Sequence, residues 1–493
     1  MINSAGAVFK EKKMNKKIQR IWIALFQILF FGCDTSYLTN GDYKLDSAND
    51  NSNNLKRQWN IVVYMAADNN LEEAGIEDLL EMELSKLNTD VVSVFVLFDR
   101  SAYYDTTNEN WNGTRLYRLK TGKRDQNSMI QSQEIDCEEL GLYVGQNSEL
   151  NMSAGFILEN LLKHIENRFP AKNQGLIIWG HGTGWRSADG YGFVENSTGT
   201  ESQSEINIEK STNHKGFAFD EAAKTYMSLT QLGNVLRNYT LSTGKKLSFI
   251  GFDTCFGGEL EVFYEIRNYA DYAVATEGMI KSAGWNYTEL FNSFHNTRVK
   301  TPVNLCEQVI NAFQNEYMNS QGSAICLVDL NRISELFEKF DMYMLDAAQL
   351  IKTNKIRTEV FEAVYAASDC QTDIYTYGSE NSDVYLDIRS MIESIHTCLK
   401  SENISNEKYN EYKEIEKQVI IKKWTASEKS CGIGVYFSTL ATGGLLSVKH
   451  PDEYIQNEDK NQIEFVKDSV GYVPKVSKGT GFLDKLFYEV FSQ

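Results

Sequence analysis

Residues 60–67 (NIVVYMAA) and 91–98 (VVSVFVLF) are apolar at nearly every position and rich in β-branched side chains. A strand with one wet face alternates polar and apolar residues, so uninterrupted runs of this length predict strands covered on both faces, as in a parallel sheet. Between them, residues 71–87 carry Leu79, Leu80 and Met82 among acidic residues, a helical pattern. Three more buried-strand candidates follow at 175–179 (GLIIW), 246–252 (KLSFIGF) and 272–276 (YAVAT). Apolar stripes at helical spacing separate them: Phe156, Leu158, Leu161, Leu162 and Ile165, then Leu229, Leu232, Val235 and Leu236, then Leu260, Phe263, Tyr264 and Ile266. Strand and helix in alternation predict an α/β fold, a doubly wound, mostly parallel sheet flanked by helices. A helix over 302–318 and a strand over 323–330 extend it. Beyond residue 331 helices dominate, with shorter strands such as 432–437. Residues 331–493 are therefore expected to form a mainly helical C-terminal part, either a subdomain or an elaboration of a 59–330 core.

The composition, 42% hydrophobic and 24% charged over 493 residues, is that of a folded protein with room for two domains or one large decorated one. Acidic residues outnumber basic ones, 67 to 49, for a net charge of -18. Phosphate backbones and anionic lipid surfaces would repel such a chain, so nucleic acid is not an expected partner. With four prolines and no internal period, collagenous, mucin-like and solenoid architectures are excluded.

Lys16, Lys17 and Arg20 precede an apolar run over 21–31 that ends in Gly32-Cys33 before polar sequence, the layout of an export signal. The run falls short of the roughly 20 apolar residues that a membrane span needs. Gly32-Cys33 resembles a bacterial lipobox, although Phe30 stands where leucine is usual. Residues 1–33 are thus expected to be a signal whose Cys33 is acylated, giving an exported, envelope-anchored protein; a plain cleaved signal and an uncleaved anchor are the alternatives. Met14 offers a second start with a short basic leader. Residues 34–58, with too few apolar side chains to fold, read as a tether.

Two segments place a reactive side chain at the end of a predicted buried strand, where open α/β sheets form ligand crevices: IIWGHGTGW over 177–185 and FIGFDTCFGG over 249–258. If those strands are parallel neighbours, His181 and Cys255 reach one edge of the sheet. Thiol catalysis needs that pairing, because an imidazole lowers the thiol pKa and later supplies a proton to the leaving amine. Flanking glycines let backbone approach a substrate, the N–H groups of Gly182 and Cys255 could form an oxyanion hole, and a helix start near Cys255 would add its dipole. Placement alone leaves open a buried structural cysteine and a structural histidine.

The segments NIVVYMAADNNLE, LIIWGHGTGW, GFAFDEAAKTYMSLTQL, IGFDTCFGGELEVFYEIRNYADYAVATEG and AGWNY resemble, in this order, the clostripain family of cysteine peptidases. The resemblance runs from about residue 59 to 287, with looser echoes to 437. It implies a caspase-like fold, a general base at His181, a nucleophile at Cys255, and protein or peptide substrates. Asp253 matches an acid lining the family's pocket for the Arg or Lys before the scissile bond; as a residue it could equally cap the following helix. Where the family often reads Gly-Asp-Gly-Trp, this chain has Ser282-Ala283-Gly284-Trp285, which lacks the second acid. Some members mature by cleavage between base and nucleophile. The polar stretch 186–215 is where such a cut would fall, and Arg186, Lys210 and Lys215 are its basic residues.

No Walker Lys-Ser/Thr, His-Glu-x-x-His, Gly-x-Ser-x-Gly or Cys-x-x-Cys occurs, so neither nucleotide nor zinc is expected. Calcium supports some relatives, but no calcium-loop pattern is visible; the expectation is of no cofactor and no metal site, with dependence on calcium left open. His164, His214, His295, His396 and His450 read as structural or surface residues. The sequence thus predicts a cysteine endopeptidase. The rivals are a non-catalytic binding protein on the same fold, and an amidase or transpeptidase using the same pair of residues.

Overall fold

The computed structural model of the protein describes residues 57–122, 129–136, 149–185, 194–195, 216–295, 301–318, 324–354, 356–366, 385–425, 428–436, 440–442 and 445–447. The expected signal, Cys33 and nearly all of the tether lie outside them. In chain order the elements are β1 (Trp59–Ala67), α1 (Glu72–Leu84), β2 (Val92–Arg100), β3 (Gly113–Arg118), β4 (Gln133–Ile135), α2 (Gly155–Arg168), β5 (Asn173–Gly180), β6 (Val194–Glu195), β7 (Phe217–Asp220), β8 (Thr225–Met227), α3 (Leu229–Thr243) and β9 (Leu247–Asp253). There follow α4 (Leu260–Ile266), β10 (Ala270–Thr276), α5 (Tyr287–Asn292), α6 (Pro302–Tyr317), β11 (Ala324–Asp329), α7 (Ile333–Asn354), α8 (Arg357–Ala366), β12 (Tyr385–Asp387), α9 (Ile388–Leu399), α10 (Asn406–Val419), β13 (Ile420–Thr425) and β14 (Gly434–Tyr436).

Nine strands make the central sheet in the order β13-β11-β10-β9-β5-β1-β2-β3-β4. The five strands from β10 to β2 in that order run parallel, and the strands outside them pair antiparallel. Every residue of β1 and β2 is buried, which is why their sequences show no alternation. The period of two survives in which face each side chain serves: Val62, Tyr64 and Ala66 enter one core, Ile61, Val63 and Met65 the other. Each fully buried aliphatic or aromatic side chain contributes about 1.5–3 kcal/mol. The two cores therefore hold the sheet rigid from both sides.

The first core continues through α2, α3 and α4 into the C-terminal helices, where Phe340, Tyr343, Ile392, Ile395 and Tyr412 pack in the same cluster as Phe263. The helices after residue 331 thus cover the sheet, and β13 lengthens it beside β11. The strand expected over 432–437 is present as β14, paired with β12 apart from the main sheet.

Chain order and strand order together locate a crevice. From β1 the chain moves outward through β2, β3 and β4, then returns to the other side of β1 as β5 and moves on to β9 and β10. Helices leave the sheet in opposite senses on either side of this switch point, so a cleft opens at the C-terminal ends of β1 and β5.

Candidate active site

Parallel pairing of β5 with β9 puts Trp179 opposite Asp253. His181 and Cys255, each two residues farther on, leave the sheet at matching positions of neighbouring strands. Glycine makes the close approach possible. A Cβ on Gly182 would come within 2.5 Å of the Cys255 carbonyl oxygen and 2.8 Å of Thr254 Cβ. A Cβ on Gly180, whose φ is +127°, would meet the Ala66 carbonyl oxygen at 2.7 Å. The histidine loop is therefore pressed backbone to backbone against both neighbouring strand ends.

His181 Nε2 stands 2.8 Å from Asn70 Oδ1, in the turn between β1 and α1, and Phe219 meets the imidazole edge-on at 6.3 Å. Burial lowers the His181 pKa to about 4. Cys255 accepts a hydrogen bond from Ile280 N–H, with N···S 3.4 Å. Burial pushes its thiol up to about 11; the bond from Ile280 works against that shift, and the Asp253 charge adds to it. At neutral pH both groups therefore rest uncharged, as thiol and imidazole.

One expectation fails here. The helix after the thiol, α4, begins only at Leu260, five residues beyond Cys255. Between them Phe256 turns left-handed (φ 54°), with its N–H bonded to the Gly278 carbonyl. Because a helix field fades beyond its first turn, it gives this thiol little help. The conformation at Phe256 is held by packing, since its ring stacks on Tyr385, whose hydroxyl donates to the Thr183 carbonyl at 2.8 Å.

Nor does Asp253 cap a helix. It is buried, and its Oδ2 accepts from Trp285 N–H (3.2 Å) and Tyr287 O–H (2.8 Å). Burial lifts its pKa to about 7. A second carboxylate lies beside it: Asp78, buried on α1, accepts from Trp179 Nε1 at 2.6 Å. A Cβ on Gly284 would touch Asp253 Oδ2 at 2.9 Å and Asp78 Oδ2 at 3.2 Å, so both acids meet under that glycine. Ala283 is exposed next to it. Asp253 Oδ1 and Trp285 Nε1 are buried without a hydrogen-bond partner among the described residues. Asn70 and Asp78 were missed by sequence reasoning; an acid at a buried position of an amphipathic helix is a signal that could have found the second.

Arg186, Lys210 and Lys215 lie outside the described residues, as do His214 and His450. His396 is a core residue, stacked on Tyr409 and bonded to the Tyr343 hydroxyl. Among the described residues the cysteines, Cys255, Cys306, Cys326, Cys398 and Cys431, are free.

Comparison with known proteins gives a consistent picture. The model of the clostripain family matches residues 63–469. Clostripain of Hathewaya histolytica is 22% identical over 387 residues, which cover 72% of this chain and 68% of that protein. A secreted C11 cysteine protease from Bacteroides thetaiotaomicron, solved with an irreversible peptide inhibitor, superposes with a TM-score of 0.52 at 18% identity, over 83% of this chain and 98% of that one. An inactive zymogen C11 protease from Parabacteroides distasonis gives 0.54 at 17% identity, over 84% and 99%. The shared fold is the caspase-like α/β sheet.

Proposed function

The chain belongs to the clostripain family and is a cysteine-type peptidase, and from that premise we propose an exported endopeptidase that cleaves after arginine or lysine with Cys255 as nucleophile and His181 as general base. The observation that supports it most is the matching register of His181 and Cys255 on adjacent strand ends, with Gly182 backbone against Cys255. Export follows from the signal-like residues 1–33, with Cys33 as the lipid-bearing residue of the anchored form. The relative from Bacteroides thetaiotaomicron is likewise described as secreted.

With Nε2–H donating to Asn70 Oδ1, the neutral imidazole carries its lone pair on Nδ1. In this mechanism Nδ1 takes the thiol proton as sulfur bonds to the scissile carbonyl carbon. The oxyanion is met by the N–H groups of Gly182 and Cys255. The bond to Gly216 that fixes the histidine loop uses the N–H of Thr183 and not that of Gly182. The imidazolium then protonates the leaving amine as the C–N bond breaks, leaving a thioester. Water attacks it, giving its proton back to His181, and the thiol is restored as the acid leaves. Pairing an uncharged thiol with an uncharged base needs the same number of protons as an ion pair, so substrate binding can drive the transfer without uptake from solvent.

The test is labelling by a peptidyl electrophile with lysine before the warhead. The adduct is expected on the peptide containing Cys255 alone; an adduct on another cysteine, or none on a folded protein, overturns the assignment.

Asn70 is a positioning residue in this scheme. Asn70→Ala is expected to lower kcat about 10- to 100-fold with little change in KM, since the imidazole loses its orienting acceptor. Asn70→Asp restores an acceptor and adds a negative charge, which favours the imidazolium and raises the His181 pKa. Because activity needs the neutral base, the acid limb of kcat, expected near pH 4 in the natural protein, moves upward in Asn70→Asp. An unmoved limb would mean that Asn70 only shapes the turn.

A further inference from the structure

The loop that leaves β2 carries two adjacent tyrosines, Tyr103 and Tyr104, whose rings are 87% and 48% exposed, so both offer apolar surface to a ligand. The backbone under them is fixed. Buried Glu72, in the first turn of α1, accepts from Arg100 Nε (2.7 Å), Tyr104 N–H (3.3 Å) and Asp105 N–H (3.0 Å). The Tyr104 hydroxyl donates to Glu221 Oε2 at 2.8 Å, just beyond β7, and Glu221 N–H donates to the Asp68 carbonyl at the end of β1 (2.9 Å). Tyr104 therefore reaches from the end of β2 to a segment tied to the end of β1. That segment also holds Phe219, which meets the His181 ring. Strand order turns this placement into a direction. Along the sheet edge, in the order β9, β5, β1, β2, stand Cys255, His181, Asn70 and then the two tyrosines. Sulfur attacks the scissile carbonyl carbon and His181 protonates the leaving amine, so the substrate's C–N bond points from β9 toward β5. The chain after that bond continues toward β1 and β2.

We propose that Tyr103 and Tyr104 form a subsite for a large apolar or aromatic side chain, two or three residues after the scissile bond of the substrate. The spacing sets the position. Two strand separations, roughly 10 Å, lie between the ends of β5 and β2, and an extended peptide advances about 3.3 Å per residue. The chemistry follows from what the tyrosines leave free. The polar tip of Tyr104 is taken by Glu221, so its ring presents a face, and the Tyr103 ring can close over a side chain at the entropic cost of only two torsions. Glu72 holds the loop in place before substrate arrives, which spares the ordering cost of binding. This inference rests on the assignment of Cys255 and His181, because that pair gives the substrate its direction; it does not depend on which residue precedes the scissile bond.

The experiment is digestion of a synthetic peptide library by the full chain, with every cleavage site assigned by mass spectrometry, so that positions before and after the bond are read independently. Aromatic residues, Leu and Met should be enriched at the second or third residue after the bond. For two internally quenched peptides that differ there as Phe and Gly, kcat/KM should differ about five- to tenfold. The double variant Tyr103→Ala, Tyr104→Ala should bring that ratio below about twofold, whereas Tyr104→Phe, which keeps the ring, should retain most of it. Tyr103→Ala alone removes a ring that stands almost wholly in water, so it tests the subsite without threatening the fold, and it too should reduce the ratio. A flat profile after the bond, enrichment of Arg or Lys there, or a Phe-to-Gly ratio that survives the double variant overturns the proposal. Cleavage retained by Cys255→Ala would overturn the catalytic pair and with it the direction argued from it. Cleavage after residues other than Arg or Lys would overturn only the basic pocket, and the enrichment after the bond would still decide the subsite.

Discussion

Cys255→Ala is expected to lower kcat/KM by at least about 10⁴-fold, to the floor of a fluorogenic peptide assay. The substitution removes one sulfur atom and leaves intact the backbone that Gly182 packs against. The Ile280 N–H loses only a weak sulfur acceptor at 3.4 Å. Melting temperature should therefore stay within a few degrees of the natural value, which separates lost chemistry from lost fold. Cys255→Ser should be nearly as inactive, because a base whose pKa is held near 4 is a poor acceptor for an alkoxide-forming proton. Since nucleophile and base act as a unit, His181→Ala should fall to a similar level and the double variant no lower. Persisting hydrolysis in Cys255→Ala would assign the nucleophile elsewhere and return weight to a binding role for this crevice.

What could be read in the sequence divides along physical lines. Strands β1, β2, β5, β9 and β10 were legible because burial on both faces forces continuous apolar runs, a local signal. The sheet edge at which His181 and Cys255 leave neighbouring strands was legible because parallel pairing leaves few alternatives for strand ends bearing Gly-His-Gly and Asp-Thr-Cys. The dipole expectation failed because nothing local announces that Phe256 turns left-handed and delays α4 to Leu260. Asn70 and Asp78 stayed hidden for a different reason: their partners His181 and Trp179 are 111 and 101 residues away, and only the switch point between β1 and β5 joins them. The cluster of Asp68, Asp99, Glu149 and Asp220, whose side-chain oxygens approach within 4.8 Å of one another, is similar, since each acid comes from a different segment.

The acids under Gly284 give the second large prediction. Burial lifts both carboxyls, Asp253 to about 7 and Asp78 well above its ordinary range, so the pair takes up its first negative charge as pH rises through about 7. In the proposed scheme that charge, with Oδ1 unpaired among the described residues and Asp78 beside it, would receive the guanidinium or ammonium group. Asp253→Asn is expected to lower kcat/KM for peptides with Arg or Lys before the scissile bond by about 10²–10³-fold, the scale of losing one partner of a buried charge pair, and to change uncharged peptides only a few-fold. Asp78→Asn should cost basic peptides about tenfold. The pH dependence separates the two roles of the site. Protonating Asp253 removes the attracting charge, so kcat/KM for basic peptides should fall as pH drops through about 7, whereas uncharged peptides should hold until the His181 limb near 4. If Asp253→Asn instead depressed basic and uncharged peptides equally, with no limb near 7 to lose, the carboxylate would be a strut beneath Trp285 and Tyr287, and specificity would have to come from the crevice rim.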